Sequence, residues 1–546
     1  MKNDVGAQLN ALLFAYVNDF SDYKGNPAVE RQEQRFLKRF IPPKEDVEML
    51  KYRAISDFLQ NNDGVIPHID SRKLDPIIMG EARSFIRHAL ELFTFHHTGV
   101  SGNLFDIDLL LAFWKFGPGS SNETVGTHFC DKIRRTFSVT EKARPLCLLL
   151  RQSSPYLDAQ NNRDVRSSGM RCIRGSRLTS VRKNSENDRT IAVEPLGNMA
   201  LQLAAGSYIS SALSCVGLNI PTQQQKNKFL AKLGSVSNDL CTIDLKSASD
   251  LISPALIFTL WPSIWFNLFW QIRSPEIEFL PKMWRKCNMI STMGNGFTFP
   301  MMTLTLLGLV YGVIRKNRGC RNLRVDYATV GVYGDDIICP SLYFDELCYT
   351  LTGCGLKVNT DKSYVKGPFR ESCGGDYYEG VDITPFYIES LQSDPEIYVA
   401  INKSIHWACR HGVQIPRLLA YLKSLLSSRP LIVPEWEDPS SGVLSLYPSR
   451  SYDYLAIEET PVYRRIKDGF DIMCLLGGFG TTVPTKKKDH CGRYTYTRRL
   501  SKDDEVVYTT RKAKLPQGYL DGHDPLYGNR EAAKVRWGVI LLHLIL

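Results

Sequence analysis

At 546 residues, with 43% hydrophobic and 23% charged side chains, the chain has the make-up of a globular protein large enough for roughly three or four domains. Its formal net charge of +10 favours a polyanionic partner; a basic surface kept for solubility is the bland alternative. The 14 cysteines are scattered with no Cys-x-x-Cys spacing, which argues against a zinc site or a disulfide framework and predicts reduced thiols in a cytosolic setting. The doublet His96-His97 has no cysteine nearby, and Asp4 and Asn10 interrupt the apolar stretch a signal peptide needs. Met301–Ile314 and Trp537–Leu546 are the longest apolar segments, and both fall short of the roughly 20 residues of a membrane span. The first is predicted to be a buried core helix and the second to pack onto the body, with no membrane partner.

In chain order, residues 1–115 read as helical, with apolar residues at helical spacing in Ala11–Val17 and Ala82–Phe95. Gly117–Gly126 is a loop without the Gly-Lys-Ser/Thr ending of a P-loop. Residues 163–189 are strongly basic (Arg163, Arg166, Arg171, Arg174, Arg177, Arg182, Lys183, Arg189) and predict strands or an extended hairpin. They suit a phosphate channel for nucleotide and template, against a solvated basic face as the other reading. Cys241–Asp244 ends a short apolar strand on an acid. Aromatic residues crowd Trp261–Asn288, and Ser291–Phe299 then predicts a flexible loop with Asn295 between two glycines, presented to substrate or simply turning into a helix. Ala328–Val332 and Ile337–Cys339 flank Tyr333-Gly334-Asp335-Asp336 and predict two strands joined by a tight turn, with Gly334 free to take positive φ. Ile401–Leu426 reads as helical. Lys486–Arg499 and Val506–Lys512 alternate basic and aromatic residues as a β-hairpin turning at Ser501–Glu505, suited to RNA contact or to a charged sheet edge.

The chemistry concentrates in three carboxylates. Adjacent acids at a hairpin tip repel each other, so a half-buried Asp335–Asp336 pair calls for a cation; a solvated turn is the alternative. Mg²⁺ is a hard ion that takes one or two carboxylates plus substrate phosphates. With Asp244 at a second strand end, the set matches a two-metal phosphoryl-transfer site, in which cations about 4 Å apart clamp the attacking and leaving oxygens.

At these motifs the sequence resembles the RNA-directed RNA polymerase (replicase β) subunit of leviviruses, the small positive-strand RNA bacteriophages. The resemblance lies in Lys183–Pro195, Asp244–Asp250, Ser291–Phe299, Tyr333–Pro340, Gly367–Gly374 and Gly380–Ile388, in the family's order over roughly residues 180–390. It implies an α+β right-hand polymerase with fingers, palm and thumb. Residues 1–235 would form the N-terminal region and fingers. The palm would follow at 236–385, with a fingers insertion near 256–290, and the thumb and C-terminal region at 386–546.

The resemblance further implies that Asp244, Asp335 and Asp336 hold two Mg²⁺ ions, with Mn²⁺ able to substitute, and that Lys183 and Arg189 grip the incoming triphosphate. Asp250 and Asn295 match the pair that senses the ribose 2′-OH, with Ser249 and Gly294 beside them in the nucleotide site. Lys362 matches the proposed general acid to pyrophosphate, a surface lysine being its plain reading. The implied partners are RNA template and product, NTPs, host elongation factors Tu and Ts and a ribosomal protein, in the cytoplasm of the infected bacterium. Three departures stand out: Lys246 in place of a small hydroxyl residue, Pro300–Met302 in place of an acidic segment, and Arg182 in place of a proline. None removes a metal ligand. A reverse transcriptase and a non-catalytic RNA-binding protein are the competing classes; dNTP preference marks the first and Mg²⁺-independent RNA binding the second.

Overall fold

The computed structural model describes residues 5–445, apart from 37–39, 41–46, 66–73, 118, 125–131, 133–134, 155–169, 320–327, 428 and 435–437, together with three strands between 485 and 510. Arg163, Arg166, the Ser501–Asp504 turn and the Trp537–Leu546 segment lie outside the described residues. The chain divides into two units. One comprises residues 43–125 and 132–384, the other residues 1–42, 126–131 and 385–546.

In the 43–384 unit the acidic motifs lie on one small antiparallel sheet. Strands β5 (Leu240–Ile243), β9 (Gly331–Tyr333) and β10 (Asp336–Pro340) pair in the order β5-β10-β9. All but Tyr333 and Asp336 are buried, because both faces are covered and the sequence is apolar without alternation. The Ile220–Ser237 helix backs this sheet, where Leu230 and Ala231 meet Leu240, Ile338 and Tyr377. On β5 and β10, Cys241 and Cys339 face each other as free thiols with sulfurs 3.5 Å apart. A meander of β12 (Phe369–Ser372), β13 (Gly375–Tyr378) and β14 (Val381–Asp382) follows. The short strands β6 (Leu245–Lys246) and β11 (Lys357–Val358) pair antiparallel.

The basic stretch forms a hairpin as predicted: β3 (Gly175–Arg182) and β4 (Asp188–Val193) run antiparallel, with Arg182 opposite Asp188. They join β7 (Glu276–Leu280) and β8 (Met283–Lys286) in a four-stranded sheet ordered β4-β3-β7-β8. A two-stranded parallel pair, β1 (Phe137–Thr140) with β2 (Met170–Ile173), completes the strands of this unit.

The predicted core helix is longer than its apolar stretch. It spans Thr298–Arg318, because a basic last turn and the left-handed Gly319 cap extend it beyond Ile314. At 21 residues it is long and apolar enough to cross a membrane, yet 89% of its apolar window is buried inside the protein. It packs on the Pro76–Thr98 helix so closely that a Cβ on Gly312 would lie 2.4 Å from the Ile78 carbonyl oxygen. Pro300 sits in the first turn of the Thr298–Arg318 helix, where its missing N–H leaves no hydrogen bond unmade.

The second unit brings the Val5–Phe20 and Pro27–Arg35 helices together with Asp394–His411 and Pro416–Ser424. Asp19 accepts hydrogen bonds from the backbone N–H groups of Arg417 and Leu418, capping the last helix. The single helical run read over Ile401–Leu426 is two helices, because Gly412 takes φ +64° and Pro416 starts a new first turn. Strands β15 (Ile432–Pro434) and β16 (Val443–Ser445) pair in parallel. Strands β17 (Thr485–Lys488), β18 (Tyr494–Arg499) and β19 (Glu505–Thr510) form an antiparallel sheet whose β18–β19 pair is the predicted hairpin. The fold is α+β.

Candidate active site

Strands β9 and β10 are joined through Gly334-Asp335 alone, with Tyr333 paired to Asp336. Gly334 takes φ +61° at the first turn position, as a tight hairpin of this hand requires. The tip lies against the Thr298–Arg318 helix. The Gly334 N–H donates to Thr303 Oγ1 at 3.1 Å, a Cβ on Gly334 would lie 2.5 Å from the Phe299 ring, and Tyr333 meets that ring edge-on with centroids 4.7 Å apart. On the other side Ile337 pairs with Ile243, so Asp336 and Asp244 each sit one residue beyond the last pair on adjoining strands, close enough for each charge to be felt. Two acids 92 residues apart in sequence thus become cross-strand neighbours, with Asp335 beside them at the tip.

Their electrostatics are those of a crowded acidic cluster. Burial pushes the Asp336 carboxyl up to about 6; Asp335 and Asp244 add to the rise, and the Cys373 N–H opposes it. Asp244 is also raised, first by burial and then by Asp335 and Glu371, against the opposing effects of Asn359 and Lys362. Sequence reasoning missed the groups that hold these carboxylates. Asn359 Nδ2 donates to Asp244 Oδ2 at 2.6 Å. The Cys373 N–H donates to Asp336 Oδ1 at 3.1 Å, with the Ser372 hydroxyl 3.4 Å from the same oxygen. Cys373 and Gly374 form the β12–β13 turn with φ +52° and +71°, a left-handed cysteine that only the folded chain reveals.

A basic wall stands near the acids. Lys183 lies at the β3–β4 turn; partial desolvation, Arg189 and Lys362 lower its pKa while Asp244 and Asp335 raise it. Lys183, Arg189, Lys362, Asp244 and Asp335 are therefore within electrostatic reach of one another. Lys362 lies 3.5 Å from Glu371 Oε1. Lys246 pairs with Asp361 at 3.4 Å, where both side chains are exposed.

The Ser291–Phe299 loop is pinned rather than flexible. Gly294 takes φ +106°, and a Cβ there would lie 2.2 Å from the Ala192 carbonyl oxygen. The Gly296 carbonyl oxygen would stand 2.4 Å from a Cβ on Gly206. Asn295 Oδ1 accepts from the Phe297 N–H at 3.1 Å, entering the Thr298–Arg318 helix. Asp250 is partly buried, its carboxyl pushed up to about 6 by desolvation, and Ser249 Oγ donates to it at 3.2 Å. Asp250 and Asn295 each bond locally, and no hydrogen bond joins them.

Among the described residues no three His, Cys, Asp or Glu side chains close a metal cage by themselves. The donor set still suits a hard divalent ion. Its oxygens are carboxylate oxygens, burial and then the neighbouring acids raise Asp244 and Asp336, and such ions are completed by substrate phosphates.

Residues 110–442 match the family described as RNA replicase, beta-chain. The chain is 36% identical over 327 residues to the RNA-directed RNA polymerase subunit beta of Escherichia virus Qbeta, covering 59% of this chain and 53% of that protein. It is 35% identical over 303 residues to the RNA-directed RNA polymerase beta chain of Escherichia phage MS2, covering 55% and 53%. The chain thus spans about half the length of these curated relatives. Among solved structures it is similar to the RNA-dependent RNA polymerase of a human picorbirnavirus, with a TM-score of 0.43 and 12% identity over 77% of this chain and 82% of that one.

Proposed function

The chain belongs to the RNA replicase beta-chain family, and from that membership we propose that it is an RNA-directed RNA polymerase copying the positive-strand RNA genome of a bacteriophage. The observation that carries this reading is the meeting of Asp244 and Asp336 at the same end of the β5–β10 pair, with Asp335 at the adjoining tip. In this reading the three carboxylates hold two Mg²⁺ ions, or Mn²⁺ in their place. When bound, the ions make the RNA 3′-OH acidic enough to attack the α-phosphate of an NTP and neutralise the leaving pyrophosphate.

The chain's own residues do the rest. Lys183 and Arg189 grip the triphosphate through charge and the planar guanidinium fork. Asp250 and Asn295, with Ser249 and Gly294 supporting them, read the ribose 2′-OH. Lys362 delivers a proton to the departing pyrophosphate; the Lys183 pKa is lowered first by desolvation and then by Arg189 and Lys362, the cations gathered around that end of the site. The sheet β5-β10-β9 belongs to a palm over 236–385, with a fingers insertion near 256–290, fingers before it and a thumb over 386–546. The partners are RNA template and product, NTPs and host proteins in a multi-subunit complex, with elongation factors Tu and Ts and a ribosomal protein as the candidates, in the cytoplasm of the infected bacterium.

The test is NTP incorporation on an RNA template by purified chain, with and without bacterial extract. Asp335→Asn abolishes Mg²⁺-dependent synthesis; undiminished synthesis overturns the reading. Preference for dNTPs would instead make it a reverse transcriptase. RNA binding indifferent to Mg²⁺ and to loss of all three acids, without synthesis, would make it a non-catalytic binder.

A further inference from the structure

Asp244 is fastened at three points to the loop after β11. Asn359 Nδ2 donates to its Oδ2 at 2.6 Å, and the Asn359 backbone N–H donates to its carbonyl oxygen at 2.8 Å. Ser363 Oγ accepts from the Asp244 N–H at 3.2 Å while donating to the Asn359 carbonyl oxygen at 2.9 Å. The amide orientation follows from charge, since its oxygen at that distance would set two acceptors face to face. Asn359 is 9% exposed, so bulk water is not a ready replacement for its amide. Asp244 Oδ1 accepts no hydrogen bond from the described residues. One carboxylate oxygen is tied and the other left open.

We propose that Asn359 is a positioning residue for divalent-cation binding at Asp244. Its amide holds Oδ2 and fixes the rotation of the carboxylate, so that Oδ1 is presented to the cation. The loop geometry also explains why an amide suits this position. A neutral donor orients the carboxylate without neutralising it, whereas a lysine or arginine would compete with the cation for its charge. The inference rests on the polymerase reading only in taking the acidic cluster as the cation site.

The experiment uses the full chain and Mn²⁺ alone as the probe, titrated by electron paramagnetic resonance, with melting temperatures as the check on folding. Asn359→Ala and Asn359→Ser both weaken Mn²⁺ binding about tenfold or more, the loss characteristic of removing a group that orients a metal ligand. In NTP incorporation the Mg²⁺ requirement of both variants rises in step, and the rate recovers at high Mg²⁺. Asn359→Ser keeps a small polar group in the loop if Asn359→Ala fails to fold. Asp244→Asn is the reference. If it removes Mn²⁺ binding while folded Asn359 variants bind as wild type, the positioning role is overturned and the acidic site stands. If Asp244→Asn itself binds Mn²⁺ and synthesises RNA as wild type, the polymerase reading of the cluster falls first. Failure of both Asn359 variants to fold assigns the residue to the scaffold and overturns the proposal.

Discussion

Asp336 and Asp244 lie at the same end of the β5–β10 pair, each one residue beyond the Ile337–Ile243 pairing, and each has a carboxyl raised by burial and by its acidic neighbours. Without a cation this arrangement opposes folding at neutral pH. Asp336 rises from 3.8 in the unfolded chain to about 6. Its favourable contribution is therefore complete below about pH 4 and lost as pH climbs through 6. Asp336→Asn, in EDTA, is more stable than wild type by about 2 kcal/mol at pH 7.5, with the gap closing toward pH 4. Urea denaturation at the two pH values checks this. Added Mg²⁺ stabilises the wild type and leaves the variant little changed.

Gly294 and Gly80 form a contrasting pair. Gly294→Ala forces a Cβ to 2.2 Å from a backbone oxygen at φ +106°, and destabilises by more than about 2 kcal/mol. Gly80 lies inside the Pro76–Thr98 helix, where an added methyl would meet nothing within 4 Å, and Gly80→Ala stabilises by about 0.5–1 kcal/mol. Thermal denaturation of the two variants separates close approach from helix propensity.

Arg189→Ala raises the KM for NTP by about tenfold or more, the worth of a charge-assisted hydrogen bond to phosphate. Arg189→Lys recovers only part of the loss, because an ammonium cannot form the fork. The check is initial rate against NTP concentration at two ionic strengths; an unchanged KM in Arg189→Ala would remove the residue from the triphosphate site.

Thr303→Val leaves the buried Gly334 N–H without its acceptor, a loss of about 1–3 kcal/mol. Amide hydrogen exchange at residues 333–336 should quicken more than exchange in β5. Equal protection in the two strands would mean that the helix does not restrain the tip.

The Asp335–Asp336 hairpin was legible in the sequence because a glycine turn between apolar runs is a local signal, and its partner Asp244 because an acid ended an apolar run. The basic hairpin was legible for the same reason. Asn359 and Cys373 were not, because their role exists only once loops 115 and 37 residues away fold back onto the acids. The Ser291–Phe299 loop was misjudged as flexible: two glycines look loose in sequence, but here they allow backbones to touch. Ile401–Leu426 hid a break at Gly412 because apolar spacing continued past it.

The contact at Gly294 has a mechanical consequence. The Ala192 N–H donates to the Met293 carbonyl oxygen at 2.8 Å, and no side chain separates β4 from the loop at Gly294. The loop carrying Asn295 and the strand that bears Arg189 are therefore joined backbone to backbone. A displacement of β4 would be passed to the turn that carries Asn295 through the backbone itself, with no side chain to absorb it.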